Sequence, residues 1–536
     1  PSRGRAFVMS EEAYLETTIL IGLCLVALCV GQFIHRRHLH ALPESGATIL
    51  VGFLFTLLED QSEQGHAEEQ VQRRRYFDPI FFNLVLLPPI IFESGFHLNM
   101  AVFVENIYTI VLLAVVGTLA STAFTWAVVY YAGQLGWTAT PLPIREAGVF
   151  AALISAVDPV ATLATFGTLK VDHTLSTVVF GESVLNDAVS LIIFSTISTA
   201  PDNFSPSHVP AVAKDFLLVC VSSVLLGVGT AVLAALTFKG LGMGRHAELP
   251  LVEVVMFWCF SYLAFIVPEV PHLAAIVSSL FAGIYMALYA APNLSLEARH
   301  HLGFLLQALS TLCDTLIFLL VGMAIVFYLH AADPYLALLA IGACLAGRWL
   351  HIFSLTALAN TWRAEPITLR FQSVMAHSGL RGAIAVALAV QVEGPHAETI
   401  VAATMVTVLF TVFVLGGTTK LLLDMLNIET GVPPYAEDPS KLLPNWVEER
   451  LIDPGALALR RRKQQHHSTT LARATSARAA AARGQAHPAA AGKGLDPLAG
   501  DGRGELQVPP GRLHGLVRLA QWLRLPSTTQ SKYDAV

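Results

Sequence analysis

Residues 180–189 read Phe180-Gly181-Glu182-Ser183-Val184-Leu185-Asn186-Asp187-Ala188-Val189. Two carboxylates therefore stand inside an apolar run, 174–199, that is long enough to cross a membrane. A charged carboxylate near the middle of a bilayer is costly, so each one needs a partner, a water-filled cavity or a task. The neighbouring apolar run carries a further acid, Asp158, and two later runs carry Arg348 and Arg381. A few charges set in an otherwise greasy chain is the pattern of an ion or proton pathway.

The rest of the sequence fits that setting. Of 536 residues, 54% are hydrophobic and 13% charged, about half the charge of a typical soluble domain, and the mean hydropathy is +0.59. The apolar runs do not alternate, so they predict helices and not a barrel. The expected fold is an all-α polytopic membrane protein of about thirteen spans, near 15–34, 45–58, 79–97, 107–131, 147–166, 174–199, 211–238, 250–267, 273–291, 303–329, 334–358, 368–392 and 399–426. All six cysteines fall inside these spans, at spacings that match no zinc site, and are expected to be buried small hydrophobes.

Loop charge sets an orientation. With the N-terminus lumenal or outside, the cytosolic loops carry Arg36, Arg37, Lys170, Lys239, Arg245, Arg299 and Arg363, and four opposite loops carry no Lys or Arg. Arg73-Arg74-Arg75 dissents from this arrangement. Asn203-Phe204-Ser205 has the form of a glycosylation sequon, but Pro206 follows it. From residue 451 onward, 13 Lys and Arg face 5 Asp and Glu, which gives a tail near +8 on a body near -14.

The spans divide as six, one and six: a repeat over 15–199, a linker helix at 211–238 and an inverted repeat over 250–426. Residues 1–14 precede them, the membrane-embedded unit covers 15–430, and 431–536 reads as a cytosolic, basic, largely disordered tail. Within it, 512–525 has an apolar helical face that suits an interfacial helix, a partner-binding helix or chance. The fifth span of each repeat is interrupted, by Asp158-Pro159 in one and by Ser378-Gly379-Leu380-Arg381-Gly382 in the other. Broken helices at matching repeat positions mark the midplane site of a secondary transporter.

At about 100° per residue, Glu182 shares a helix face with Asn186 and Ser183 shares one with Asp187, so the two acids point about 140° apart. They are expected to do different work. Asp187 and Asp158, with freed carbonyls at the break, supply the oxygens that Na⁺ or K⁺ requires. Glu182 is expected to pair with Arg348, and Arg381 to neutralise half-helix C-termini. The Asp-Pro pair has a plainer reading as a helix N-cap. Asp314 and Glu93 lie in other spans, and His35, His38, His40, His300 and His301 lie near loops. There is no P-loop and no nucleophile elbow, so an ion gradient and not ATP would drive the work. Nothing implies an enzyme, a bound cofactor beyond the transported Na⁺ or K⁺ and H⁺, or nucleic-acid binding.

Several of these motifs together resemble the eukaryotic Na⁺/H⁺ exchangers of the monovalent cation:proton antiporter 1 family, over about residues 12–430. Phe81-Phe82-Asn83-Leu84-Val85-Leu86-Leu87-Pro88-Pro89-Ile90 is similar to the segment linked to amiloride sensitivity, which singles out Phe82, Leu86, Leu87, Pro88 and Pro89. Ser155-Ala156-Val157-Asp158-Pro159-Val160 resembles the unwound helix of the ion site. Glu182-Ser183 through Asn186-Asp187 resembles the Asn-Asp helix with its carrier aspartate. Ser378-Gly379-Leu380-Arg381-Gly382-Ala383-Ile384 resembles the second broken helix. Phe92-Glu93-Ser94-Gly95-Phe96 is most similar to the organellar, type 8-like branch.

The resemblance implies an antiporter fold of the NhaA type and a membrane-embedded homodimer in which a core moves against a scaffold. It implies electroneutral exchange at Asp187 and Asp158, helped by Ser183 and Asn186. It also implies Golgi or endosomal membranes, with the plasma membrane as an alternative. The basic tail could meet a cytosolic regulatory partner. Two further readings stand beside this one: a K⁺-preferring K⁺/H⁺ antiporter and a transport-inactive membrane sensor or scaffold. Asp314 departs from the family, which usually has Glu there.

Overall fold

A computed structural model describes residues 2–37, 42–60, 79–98, 100–158, 160–199, 209–245, 250–432 and 449–457. No strand occurs among them. The helical tracts, in order, are α1 (Ser2–Arg37), α2 (Glu44–Asp60), α3 (Pro79–Phe81, Phe82–Leu86 and Leu87–Phe96) and α4 (Met100–Val111, Leu112–Gly117 and Thr118–Gln134). The first broken tract follows as α5a (Ile144–Ile154) and α5b (Val160–Leu169), then α6 (His173–Thr199) and α7 (Val209–Leu241). Next come α8 (Pro250–Glu269), α9 (Ala275–Tyr285 and Met286–Ala290), α10 (Leu296–Tyr328) and α11 (Pro334–Ala359). The second broken tract, α12a (Leu369–His377) and α12b (Ala383–Val390), leads into α13 (Ala397–Phe410, Thr411–Gly416 and Gly417–Met425).

Among the described residues, nine helices are long and apolar enough to cross a membrane. The other four expected runs fall on tracts that are short (α2, α3) or broken (α5, α12). Local sequence explains the boundaries. Asp333 caps α11 by accepting the Tyr335 and Leu336 N–H groups at 3.0 and 3.2 Å, Ser295 accepts from Ala298 at the start of α10, and Thr368 accepts from Phe371 at the start of α12a. Pro88 and Pro89 lack the N–H groups that an α-turn would use, and the preceding turn, Phe82–Leu86, widens into a π-helix.

The tracts pack in two groups. Helices α4, α5, α6, α11, α12 and α13 pack on one another, while α7, α8, α9, α3, α10 and α2 form a second assembly. Much of α1 and α7 faces outward as bare apolar surface, as lipid contact requires. Phe82, Leu86, Leu87, Pro88 and Pro89 are all buried, in the second group.

One expectation is corrected, that of the cysteines, and two stretches gain detail. Among the described residues helix α1 runs from Ser2, so the helix of the first span already includes residues 2–14. Cys24, Cys313 and Cys344 are buried, but Cys29 and Cys259 lie exposed, because a lipid-facing helix surface is apolar too. The tail is not wholly loose: residues 449–457 dock on the second group, with Leu451, Ile452 and Leu457 buried beside Phe238, Val254 and Phe257. Asn293 holds this segment from both sides, donating to the Leu451 carbonyl at 2.7 Å and accepting the Asp453 N–H at 2.7 Å. Lys239 Nζ donates to the carbonyls of Glu449 and Arg450. Arg73-Arg74-Arg75, Asn203, His38, His40 and 512–525 lie outside the described residues.

Candidate functional site

The two breaks meet. The Asp158 N–H donates to the Leu380 carbonyl at 2.9 Å, which ties one unwound segment to the other. Asp158 Oδ1 accepts the Val160 N–H at 2.9 Å, capping α5b, and the same carboxylate accepts the Ala383 N–H at the start of α12b. One acid thus sits at the positive ends of two half-helices. Asp158 is therefore the helix N-cap of the plainer reading and also part of the crossing. A side chain at Gly382 would land on this carboxylate, so the approach depends on glycine at that position.

The opposite half-helix ends take arginines. Arg381 Nη1 donates to the carbonyls of Ser155 and Ala156 at 2.8 and 3.0 Å, just past the C-terminus of α5a. Its backbone N–H is held by Thr411 Oγ1 at 3.0 Å. Arg348 Nη2 donates to the Met375 carbonyl at 3.0 Å, near the C-terminus of α12a. Arg348 also forms a two-pronged ion pair with Glu182, at 2.6 and 2.7 Å, with both side chains 1% exposed. His351 completes this cluster. Its Nδ1 donates to the Gly347 carbonyl at 2.9 Å, so its Nε2 lone pair faces Arg348 Nη1.

Helix α6 supplies the remaining groups. The Ser183 hydroxyl donates to the Val157 carbonyl, and Asn186 Oδ1 accepts the Val157 N–H at 3.2 Å. Both polar atoms of residue 157, left without helical partners by the break, are thereby satisfied. Asp187 lies one residue further on. Its side chain is 7% exposed, its charged neighbours are Asp158, Glu182 and Arg381, and no hydrogen bond to its carboxylate occurs among the described residues. A buried carboxylate without hydrogen bonds is stable only with a proton or a cation on it.

A family model described as "Sodium/hydrogen exchanger, transmembrane" matches residues 23–425. The chain belongs to that family. It is 36% identical over 433 residues to human sodium/hydrogen exchanger 8, which covers 78% of this chain and 73% of that one. It is 34% identical to Arabidopsis thaliana sodium/hydrogen exchanger 5, over 78% and 81% of the two chains. It is 31% identical to the endosomal/prevacuolar sodium/hydrogen exchanger of Saccharomyces cerevisiae, over 79% and 69%. The structure of the sodium proton antiporter MjNhaP1 from Methanocaldococcus jannaschii at pH 8 shares the fold, with a TM-score of 0.55 and 18% identity over 77% of this chain and 99% of that one.

In this family member, Asp158, Ser183, Asn186, Asp187 and Arg381 come together at the crossing, and Glu182, paired with Arg348, stands on the Asn186 side of α6. Sequence reasoning missed Thr411 and His351, whose roles depend on tertiary contacts. Glu93 is engaged by His97 Nδ1 at 2.9 Å, at the end of α3. Asp314 lies apart from the crossing, in a cavity that also reaches Val160.

Proposed function

We propose that the chain exchanges a monovalent cation, Na⁺ or K⁺, for H⁺ across an endomembrane, by alternating access and without net charge movement. Asp187 is the carrier of this reading. The observation that carries it is the buried, hydrogen-bond-free carboxylate of Asp187 beside Asp158 at the crossing of two broken helices. Ser183 and Asn186 act by holding the unwound backbone at Val157, which keeps the break open beside the two aspartates.

Stoichiometry follows from charge. Glu182 and Arg348 cancel, which leaves Asp158, Asp187 and Arg381 with a net charge of about -1 in the empty, deprotonated site. One proton or one monovalent cation brings the site to neutrality. The two loaded forms are alike in charge and the empty form is not. The empty form is then the costly one to carry through a bilayer, so the site moves loaded and exchange is one for one.

The named relatives support a sodium/proton assignment and an endosomal setting. K⁺ uses the same oxygens. The loop arginines and lysines support a cytosolic side for the basic tail, where it would receive a regulatory partner. The outward apolar faces of α1 and α7 accommodate lipid and a second copy in a homodimer.

The test is proton flux in proteoliposomes. Added Na⁺ or K⁺ should alkalinise acid-loaded vesicles without a charge shunt. Asp187→Asn should abolish the flux while the protein still inserts and stays monodisperse. Full-rate exchange in that variant would remove Asp187 as carrier, and a rate that follows an imposed valinomycin potential would remove electroneutrality.

A further inference from the structure

A cavity of about 210 Å³ opens between the end of α1, the start of α2, the half-helix α5b and the middle of α10. Glu44 stands at its α2 wall, Asp314 on its α10 wall, and its inner end reaches Val160, two residues from Asp158. At roughly 30 Å³ per water, the space holds about seven waters. It is room for water beside the crossing, and apart from Val160 no part of the mechanism above uses its lining.

Five threonine hydroxyls of the lining share one property. A threonine hydroxyl has a single proton to donate. Thr48 directs it to the Glu44 carbonyl at 3.0 Å, Thr165 to Ala161 at 3.1 Å, Thr168 to Ala164 at 2.9 Å, Thr311 to Gln307 at 2.9 Å and Thr315 to Thr311 at 2.8 Å. Carbonyl oxygens only accept, so in every case the hydroxyl is the donor and its proton is committed to its own helix. What these five residues can offer the cavity is lone pairs. Together with the Asp314 carboxylate these oxygens outnumber the donors that His35 and Ser45 bring to the same lining, and a lining rich in acceptors suits a hard cation. The Asp314 carboxylate has no hydrogen bond among the described residues, so its oxygens are also available, and it lies within electrostatic reach of Asp158.

We propose that Asp314, with the Thr311 and Thr315 hydroxyls, forms a loading site that holds a partly hydrated monovalent cation in the cavity before it passes to Asp158 and Asp187. The site deepens the exchange reading and rests on it. A cation held here keeps part of its water, so the site concentrates cation without the full dehydration that the crossing demands.

The experiment measures exchange in oriented proteoliposomes, with Na⁺ titrated from each side. Removing one unit charge from a half-exposed site, Asp314→Asn should raise the half-saturating Na⁺ concentration about five- to tenfold. This shift is confined to the cavity side, and the maximal rate stays within about twofold of wild type. Asp314→Glu should restore the original value, and Thr315→Val, which keeps the shape but removes the oxygen, should raise it about twofold. Unchanged half-saturation, an equal shift from both sides, a fall in maximal rate alone, or failure of the glutamate to restore would each overturn the proposal.

A second arm avoids transport altogether. Na⁺ should still raise the melting temperature of Asp187→Asn but not that of the Asp187→Asn, Asp314→Asn double variant, and equal stabilisation of both would overturn the loading site. Failure of the underlying reading looks different: Asp187→Asn would then exchange normally. A dead Asp187→Asn beside an unaltered Asp314→Asn removes the loading site alone.

Discussion

Replacing Arg348 by methionine removes a guanidinium that makes four polar contacts in a site with 1% exposure, two to Glu182, one to the Met375 carbonyl and a longer one to His351 Nε2. The Glu182 carboxylate is left buried without its cation, an arrangement that costs about 3–5 kcal/mol. Glu182→Leu strands the guanidinium instead but keeps the Met375 contact, so its loss falls toward about 3 kcal/mol. The double variant, Glu182→Leu with Arg348→Met, buries no charge. Its remaining loss is the orphaned carbonyl at the end of α12a, about 1–2 kcal/mol. The two sites should therefore couple by at least about 2 kcal/mol, with the double variant more stable than either single one. Exchanging the charges, Glu182→Arg with Arg348→Glu, is expected to rescue less, because a glutamate at 348 cannot donate to Met375. The assay is denaturant unfolding of the purified protein in mixed micelles at neutral pH. Losses that add in the double variant to within about 0.5 kcal/mol, or full rescue by the swap, would refute this account of the pair.

Gly382→Ala places a methyl on the Asp158 carboxyl and should cost about 1–3 kcal/mol of overpacking at the crossing, read as a drop in initial exchange rate with insertion intact. Asn186→Asp adds a carboxylate one turn from Glu182 and beside Asp187, so exchange should slow and respond to an imposed potential; a voltage-independent rate in vesicles would contradict the charge argument. Asp333 lies between α10 and α11, where burial disfavours its charge but hydrogen bonds from Thr140, Leu336 and Tyr335 overcome this and hold the carboxyl below its usual range. The stability it supplies is present above about pH 3.9 and lost as pH falls through the lower folded value. Asp333→Ala should then cost about 1–2 kcal/mol at neutral pH, with wild type and variant converging in melting temperature only in strong acid. Asn293→Ala breaks the two-sided hold on Leu451 and Asp453. It should loosen 449–457 by about 1–3 kcal/mol, seen as faster tryptic cleavage after Arg450.

The helical architecture was legible because membrane helices must be long, apolar and self-satisfied in hydrogen bonds, and each of those demands leaves a mark on composition. The breaks were legible through Pro159, Gly379 and Gly382. The Glu182–Arg348 pair could be anticipated because an isolated buried charge is untenable, and with Arg381 assigned to the second break Arg348 was the expected partner. What sequence could not give was contact made by ordinary residues. Nothing marks Asn293 or Lys239 as a clamp on the tail, since the groups they bind are backbone atoms that every residue carries. The buried Leu451 and Ile452 also sit in a stretch whose average composition is polar, and a three-residue apolar anchor does not register in a window average.

The same limit hides how Ser183 and Asn186 act. Helical geometry puts Ser183 over Asp187, and the resemblance makes both residues helpers of the exchange. The structure turns both Ser183 and Asn186 onto the backbone of Val157. The reason lies in what a broken helix requires. Unwinding at 155–158 leaves main-chain donors and acceptors without partners at membrane depth, and each must be satisfied by something nearby. Arg381 takes the carbonyls of Ser155 and Ala156, Asn186 and Ser183 take the two groups of Val157, and Leu380 takes the N–H of Asp158. Asp158 in turn serves the exposed N–H groups of Val160 and Ala383. Once those demands are met, Asp187 is the one acid of the crossing on which the backbone makes no claim. A carboxylate with no structural duty can change its occupant without unfolding its surroundings, and that freedom is what distinguishes a carrier from the struts around it.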